Sequence, residues 1–346
     1  METLHVDADI TQASTLPASF YTSEDWFETA KEKIFAKTWQ FCVSSETLQQ
    51  PGQVVPFNIL PGMLDEPILF TRDTAGQLHC LSNVCTHRAN ILLDKPCTVP
   101  HILCGYHGRR FNLGGEFLHM PEFAAAKNFP SASDHLPHVP FGQLGNFLFA
   151  AIQPVMTLDD ALCEVKRRLF WLPFEKMHFD VSRSRDYMVN AHWSLYCENY
   201  LEALHIPFVH KGLRSVLDFG AYTTELYRYS SLQLALSGKG ELSFDLPRES
   251  PDYGKEVAAY YYWIFPNTML NFYPWGCSVN VVQPLAPGLT KVSFLSFVLD
   301  EDQLGKGAGG ALDRVEMEDE GVVEAVQKGI RSRFYDKGRY SPSQET

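Results

Sequence analysis

Cys85-Thr86-His87-Arg88, fifteen intervening residues, then Cys104-Gly105-Tyr106-His107: this stretch decides how the rest of the chain is read. Each half is a short segment carrying one thiol and one imidazole. Two cysteines and two histidines can fill the ligand positions of a [2Fe–2S] cluster, the Cys pair on one iron and the His pair on the other. Neutral imidazoles leave less negative charge on such a cluster, which raises its potential above that of a four-cysteine ferredoxin. A structural zinc site draws on the same ligand types. Zinc fingers, however, pair Cys with Cys and His with His along the chain, whereas each half here is mixed. The cluster is the favoured reading.

A one-electron centre needs a destination, and one is offered about ninety residues on. Residues 198–210 read Glu198-Asn199-Tyr200-Leu201-Glu202-Ala203-Leu204-His205-Ile206-Pro207-Phe208-Val209-His210. At ~100° per residue on a helix, Glu198, Glu202 and His205 share one face. Pro207 is expected to end that helix near His205 and let the chain bring His210 back to the same point. Two histidines and a later carboxylate make the facial triad of mononuclear non-haem Fe(II), with positions left open for O2 and substrate.

Outward from these motifs, 346 residues with 45% hydrophobic content suffice for two domains with sizeable cores. A formal net charge of −12 argues against nucleic-acid and anionic-membrane partners. No apolar run approaches the ~20 residues of a membrane helix. Met1–Asp7 lacks the basic and apolar regions of a signal peptide, so the expected location is cytoplasmic. Eight cysteines do not make a dense disulfide framework in a chain this long. Beyond Cys85 and Cys104, the remaining six read as free thiols, mostly buried.

Thr22-Ser23-Glu24-Asp25 opens a helix expected to run through Lys37, within an N-terminal helical segment, residues 1–38, that packs on the second domain. From Trp39 the apolar period shifts towards two. Short strands separated by Gly, Asp and Pro turns continue to Ala150, giving an all-β cluster domain over 39–150. Residues 151–346 form the second domain. Leu158–Leu169 is a helix, strands are expected over 181–192, 223–236, 260–265, 269–273, 278–284 and 292–300, and Asp313–Arg333 is a long helix. An antiparallel sheet gripping a long C-terminal helix makes the whole α+β.

With both constellations in order, the chain resembles the α subunits of Rieske non-haem iron oxygenases from about Trp39 to Gln327. Arg88 after the first His and Tyr106 before the second match the Rieske pattern. The resemblance implies a Rieske domain with cluster ligands Cys85, His87, Cys104 and His107, and a helix-grip catalytic domain with one mononuclear Fe(II). It places His205 and His210 as iron ligands, Glu202 as the acid bridging the two centres, and Asn199 near the iron. It also places the third ligand in Glu316-Met317-Glu318-Asp319-Glu320, shortly before Glu324-Ala325-Val326-Gln327. Asp319 falls at the matching position, with Glu318 the competing residue. Family members assemble as rings of three, so a homotrimer is implied, along with an NAD(P)H-dependent reductase or ferredoxin as electron donor.

Three departures stand out. His192-Trp193-Ser194 replaces a frequent Asn-Trp-Lys, and His192 reads as a supporting or core residue rather than a ligand. Arg109-Arg110 follows Tyr-His-Gly where a Trp is common, which would alter how a reductase docks. Glu202 stands where ring-hydroxylating dioxygenases generally have Asp, a feature similar to choline- and carnitine-type monooxygenases. Ile264–Trp275 resembles the same branch. Tyr262, Tyr273 and Trp275 are candidates to cage a quaternary ammonium by cation–π attraction, weighed against ordinary sheet-core aromatics. The expected activity is hydroxylation or N-demethylation of a small molecule with O2 and reductase-supplied electrons, a quaternary ammonium compound being one candidate substrate. The alternatives are cis-dihydroxylation of an aromatic ring and a non-catalytic Rieske electron carrier.

Overall fold

The computed structural model describes residues 3–210, 222–310, 312–343 and 345, in two compact units. One unit is Ala36–Leu158. The other joins the chain up to Phe35 with the chain from Asp159 onward. Gln153 and Val155 donate backbone bonds to Ala36 and Lys37, which ties the ends of the first unit together. It therefore runs a few residues beyond 39–150 on each side.

Ten strands build the Ala36–Leu158 unit: β1 (Gln40–Ser44), β2 (Gln53–Ile59), β3 (Glu66–Arg72), β4 (Leu78–Ser82), β5 (Cys97–Thr98), β6 (Ile102–Leu103), β7 (Arg110–Phe111), β8 (Phe117–His119), β9 (Phe141–Leu144) and β10 (Phe147–Ala150). They form three antiparallel sheets, ordered β1-β10-β9, β4-β3-β2-β5 and β6-β7-β8. Gly115 makes the β7–β8 turn at φ 88°, where a Cβ would lie 2.9 Å from Leu81, so only glycine fits. Val54, Leu69, Leu81, Ile102 and Phe111 pack in one core cluster with Cys85 and Cys104. Each such side chain contributes ~1.5–3 kcal/mol on burial, so both cysteines are anchored in the stiffest part of the unit.

The second unit holds α1 (Glu24–Lys33), α2 (Leu158–Arg168), β11 (His178–Val189), α3 (Trp193–Tyr200), α4 (Ile206–Val209), β12 (Thr223–Leu226), β13 (Ser230–Leu236), β14 (Val257–Ile264), β15 (Thr268–Tyr273), β16 (Gly276–Ala286), β17 (Leu289–Val298) and α5 (Leu312–Ile330). Ser23 caps α1 by accepting from Trp26 N, and Phe27 and Ala30 are its buried residues. The helix stops at Lys33, short of the expected Lys37, and Phe35–Lys37 forms a 3₁₀ turn. The seven strands make one antiparallel sheet in the order β11-β17-β16-β15-β14-β13-β12. α5 packs on α3 and β11, and α3 packs on β16, so the sheet and the long helix enclose α3. The expected strand over 223–236 is two, because Tyr227 N bonds Ser230 O in a tight turn. That turn contains no Gly, Pro or Asn, which is why the sequence carries no mark of it.

Candidate metal centres

The two cysteine–histidine segments have one shape. Cys85 N bonds Asn90 O and Ala89 N bonds Cys85 O; in the second loop Cys104 N bonds Arg109 O and Gly108 N bonds Cys104 O. The fourth residue after each cysteine is left-handed, Ala89 at φ 53° and Gly108 at φ 73°. The backbone N–H groups of His87 and Arg88 point at the Cys85 sulfur, and those of Tyr106 and His107 at the Cys104 sulfur. Asn90 Nδ2 adds a donor to Cys104 at 3.7 Å. Both thiols are buried, while the His87 and His107 rings lie outward with centroids 4.8 Å apart. Two buried sulfurs, each ringed by amide donors and facing two solvent-side imidazoles, form a donor set that fits a Rieske cluster.

Arg109 does not lie where a docking partner would meet it. It is 2% exposed, bonds Asp134 Oδ1 at 2.7 Å, and its guanidinium lies 5.0–5.6 Å from the Phe111, Phe117 and Phe129 rings. The cation fills an aromatic slot in the core and ties the loop to Asp134. The reading of Arg109 as a docking residue is corrected accordingly. Arg110 is half-buried in β7.

In the second unit the helix carrying Glu198 ends earlier than expected. α3 stops at Tyr200, residues 201–205 turn, and Pro207 sits in the first turn of α4 with His205 at its N-cap. A proline lacks an N–H that the first turn does not use, so it starts this helix instead of ending the previous one. Glu202 and His205 thus come together through a turn and not through a helix face. Glu202 Oε1 lies 2.5 Å from His205 Nδ1, and Oε2 accepts from His205 N at 3.1 Å.

His210 mirrors that arrangement, with Nδ1 2.8 Å from Glu318 Oε2. Each carboxylate accepts the Nδ1 proton of its imidazole, which fixes the tautomer and leaves Nε2 free to bind a metal. The Nε2 atoms of His205 and His210 lie 3.5 and 3.0 Å from Asp319 Oδ1, and the three ligand atoms fall within 4.8 Å of one another. Asp319 Oδ1 is buried and accepts no hydrogen bond. Three lone-pair donors converging without protons between them fit a divalent cation. Glu318, the competing acid, sits behind His210 instead of among these atoms.

α5 is pinned so that its carboxylates meet the histidines. Gln327 Oε1 accepts from His192 N at 2.7 Å and Glu324 Oε1 from Asn190 N at 2.9 Å. The Glu-x-x-Gln segment therefore satisfies the free amides at the entry to α3. His192 is 1% exposed, caps α3 and packs on Phe20 and Tyr21; burial lowers its pKa to about 3, so it stays neutral. Glu198 accepts from Tyr21 Oη at 3.0 Å on both oxygens, and burial pushes its carboxyl up to about 7.

A cavity of about 120 Å³ opens beside the His205, His210 and Asp319 set. Asn199 and Glu202 line it, with Tyr200, Tyr222, Tyr261 and Tyr273. Of the three expected cage residues, only Tyr273 is in this lining. Tyr262 neighbours Tyr261 on β14 and so faces the other side of the sheet, fully buried with its hydroxyl on Glu164 O. Trp275 stacks behind Tyr273 at 5.3 Å and 12°. Gly309 permits that stack, since a Cβ there would lie 2.4 Å from Trp275 Nε1. Tyr261 and Glu316 were missed. Alternation along β14 could have found Tyr261, but choosing its face needed the sheet's orientation.

A family model for the ring hydroxylating alpha subunit (catalytic domain) matches residues 174–346, and one for the Rieske [2Fe–2S] domain matches 38–130. The chloroplastic choline monooxygenase of Arabidopsis thaliana is 30% identical, over 95% of this chain and 79% of that protein. The carnitine monooxygenase oxygenase subunit of Escherichia coli K12 is 27% identical, over 94% and 86%. A solved quaternary ammonium Rieske monooxygenase superposes with TM-score 0.78 at 23% identity, covering 97% of this chain and 93% of its own. A naphthalene 1,2-dioxygenase from Rhodococcus shares the fold at TM-score 0.72 and 17% identity, over 94% and 85%. The chain belongs to the Rieske non-haem iron oxygenases, as a member of the ring-hydroxylating α-subunit family. It is an oxidoreductase whose cofactors are one Rieske [2Fe–2S] cluster and one mononuclear iron, and it takes its electrons from a reductase partner.

Proposed function

We propose that this chain is the oxygenase component that hydroxylates a small quaternary ammonium compound, or N-demethylates it with loss of the methyl carbon as formaldehyde. The observation that carries the reading is one cavity wall shared by His205, His210 and Asp319 with Tyr261 and Tyr273. A cation held against such rings gains up to ~2 kcal/mol when desolvated, on the order of thirtyfold in affinity. The names of the relatives, choline and carnitine monooxygenases, support the same class. Tyr262 and Trp275 act behind the wall, as core support.

In this reading His205, His210 and Asp319 hold the mononuclear iron, and Cys85, His87, Cys104 and His107 hold the cluster. Bound at its site, Fe(II) supplies open positions for O2 next to substrate. Glu202 orients His205 and Glu318 orients His210, each by accepting the Nδ1 proton. Asn199 lines the approach to the iron. The electron donor is an NAD(P)H-dependent reductase or a ferredoxin, and the assembly is a homotrimer in which Glu202 links His205 to a cluster histidine of a neighbouring copy. A solved relative's published description of inter-subunit electron transfer supports this arrangement. Among the described residues no helix is long and apolar enough to cross a membrane. The six cysteines outside the cluster loops are free thiols, which supports a reducing compartment such as the cytoplasm.

A surrogate reductase, NADH and a panel of trimethylammonium and aromatic compounds test this. Substrate-dependent NADH consumption with an oxygenated product by mass spectrometry is expected for a trimethylammonium member. Turnover of an aromatic ring to a cis-diol, with no amine turned over, would replace this reading by the dioxygenase one.

A further inference from the structure

Glu316 is a buried acid to which neither metal centre gives a task. It precedes Asp319 by about one turn of α5 and lines the same cavity. The residue is 2% exposed. Its Oε2 accepts from Tyr196 Oη at 2.5 Å, whereas Oε1 is buried with no hydrogen-bond partner. Oε1 thus has no protein donor, and an acceptor left so costs ~1–3 kcal/mol unless solvent or a ligand meets it. Burial, with Asp319 and Glu320 nearby and against the Tyr196 bond, pushes this carboxyl up to about 8. Such a group has more to gain from an arriving positive charge than from any neutral one.

The rest of the described lining fits that partner. Tyr222, Tyr261, Tyr273 and Phe294 present aromatic surface, and Gln233, Asn271 and Asn280 present amides. Among the described residues no lysine or arginine lines the cavity, so that wall offers Glu316 no cation of its own. The aromatic rings favour a trimethylammonium group over its neutral carbon isostere by cation–π attraction, and a net negative charge in the same wall widens that separation.

We propose that Glu316 is the specificity-determining residue of this cavity: its carboxylate pairs with the substrate's positive charge and selects a cation over a neutral molecule of the same shape. This rests on the quaternary ammonium reading above. Calorimetric titration of the iron-replete protein with choline, and with dimethylbutanol as its neutral carbon isostere, tests both and separates them. The wild type is expected to prefer choline. Glu316→Gln should weaken choline on the order of thirtyfold, the lower range for removing one partner of a buried charge pair, and leave dimethylbutanol unchanged. Glu316→Asp, which keeps the charge, should restore most of the preference. If the Gln variant does not fold, the Asp variant still decides: a shortened charge should weaken choline several-fold and dimethylbutanol not at all. Equal weakening of both ligands, or a preference intact in Glu316→Gln, overturns the role of Glu316 alone. A wild type without preference for the cation overturns the substrate class and Glu316's role with it.

Discussion

Cys85–His87 and Cys104–His107 reach their places through two loops of one shape, each closed by its own backbone bonds. His205, His210 and Asp319 have no such local frame. The histidines leave a turn and a one-turn helix, and the aspartate arrives on α5 after β12–β17 have intervened in the chain. The difference teaches what each site depends on. The cluster loops are held by the core in which their cysteines are packed. The mononuclear site is held by a frame of side-chain hydrogen bonds, the Glu202 and Glu318 carboxylates behind the histidines and Glu324 and Gln327 of α5 on the backbone of Asn190 and His192.

The comparison breaks first if the two sites cannot be emptied separately. As purified without oxygen, the protein should hold about three irons per chain. His205→Ala or His210→Ala should remove the mononuclear iron and all turnover, yet keep the visible spectrum of the cluster. Cys85→Ser should do the reverse, bleaching the cluster and retaining the other iron. Loss of both centres in any single variant would show that the sites are not independent.

A smaller effect is expected where the carboxylate frame is cut without touching a ligand. Glu202→Gln keeps the side chain's size, so both sites should still fill with iron. Turnover should fall on the order of 10–100-fold, the usual cost of losing a partner behind a metal-bound imidazole. Rapid-mixing measurement of cluster reoxidation would assign the loss to electron transfer, and an unchanged rate would reduce Glu202 to an orienting residue.

Smaller again is a pH effect confined to the catalytic unit. Glu198 titrates near 7 when folded, above the ordinary 4.5, because burial disfavours its charge. Between those values the folded state binds more protons than the unfolded chain, so stability falls as pH rises from about 4.5 to about 7. Below that window both states are protonated and the group has no effect. Glu198→Gln should flatten this decline and raise the melting temperature at pH 8 by a few degrees. A melting profile as steep as the wild type's would place the titration elsewhere.

The mildest test lies in the matched cluster loops. Ala89 and Gly108 hold equivalent left-handed positions, but only one is glycine. Gly108→Ala should cost ~1 kcal/mol, since a Cβ there meets only Pro121 at 3.5 Å and the penalty is conformational. Ala89→Gly is the reverse change at the matching position and should stabilise by about the same ~1 kcal/mol. Shifts in denaturant midpoint that are not equal and opposite would mean that the loops are not alike in energy.

Much of this was legible before any coordinates. The cluster motif is local, so spacing alone brought its four candidate ligands, Cys85, His87, Cys104 and His107, together. Period-two alternation marked β14–β17, and the apolar spacing of Val315, Val322, Val323 and Ile330 marked α5. What stayed hidden depended on longer-range facts. Pro207 is compatible with either end of a helix, so its sense was ambiguous until the turn at 201–205 was seen. Adjacent Tyr261 and Tyr262 are identical in chemistry, and only the sheet's packing says which faces the cavity. Arg109 reads as a surface cation because its three phenylalanines and Asp134 come from separate segments. Glu316 was one acid in a run of four, with nothing in the run to single it out.

With so long an interval of chain between His210 and Asp319, an iron held by both would also act as a clasp. A cation gripping both ends of that interval would close the length of chain that holds β12–β17, as a cross-link does, and remove loop freedom that no local contact can remove. Iron supply then sets how firmly α5 is shut as well as whether the enzyme turns over.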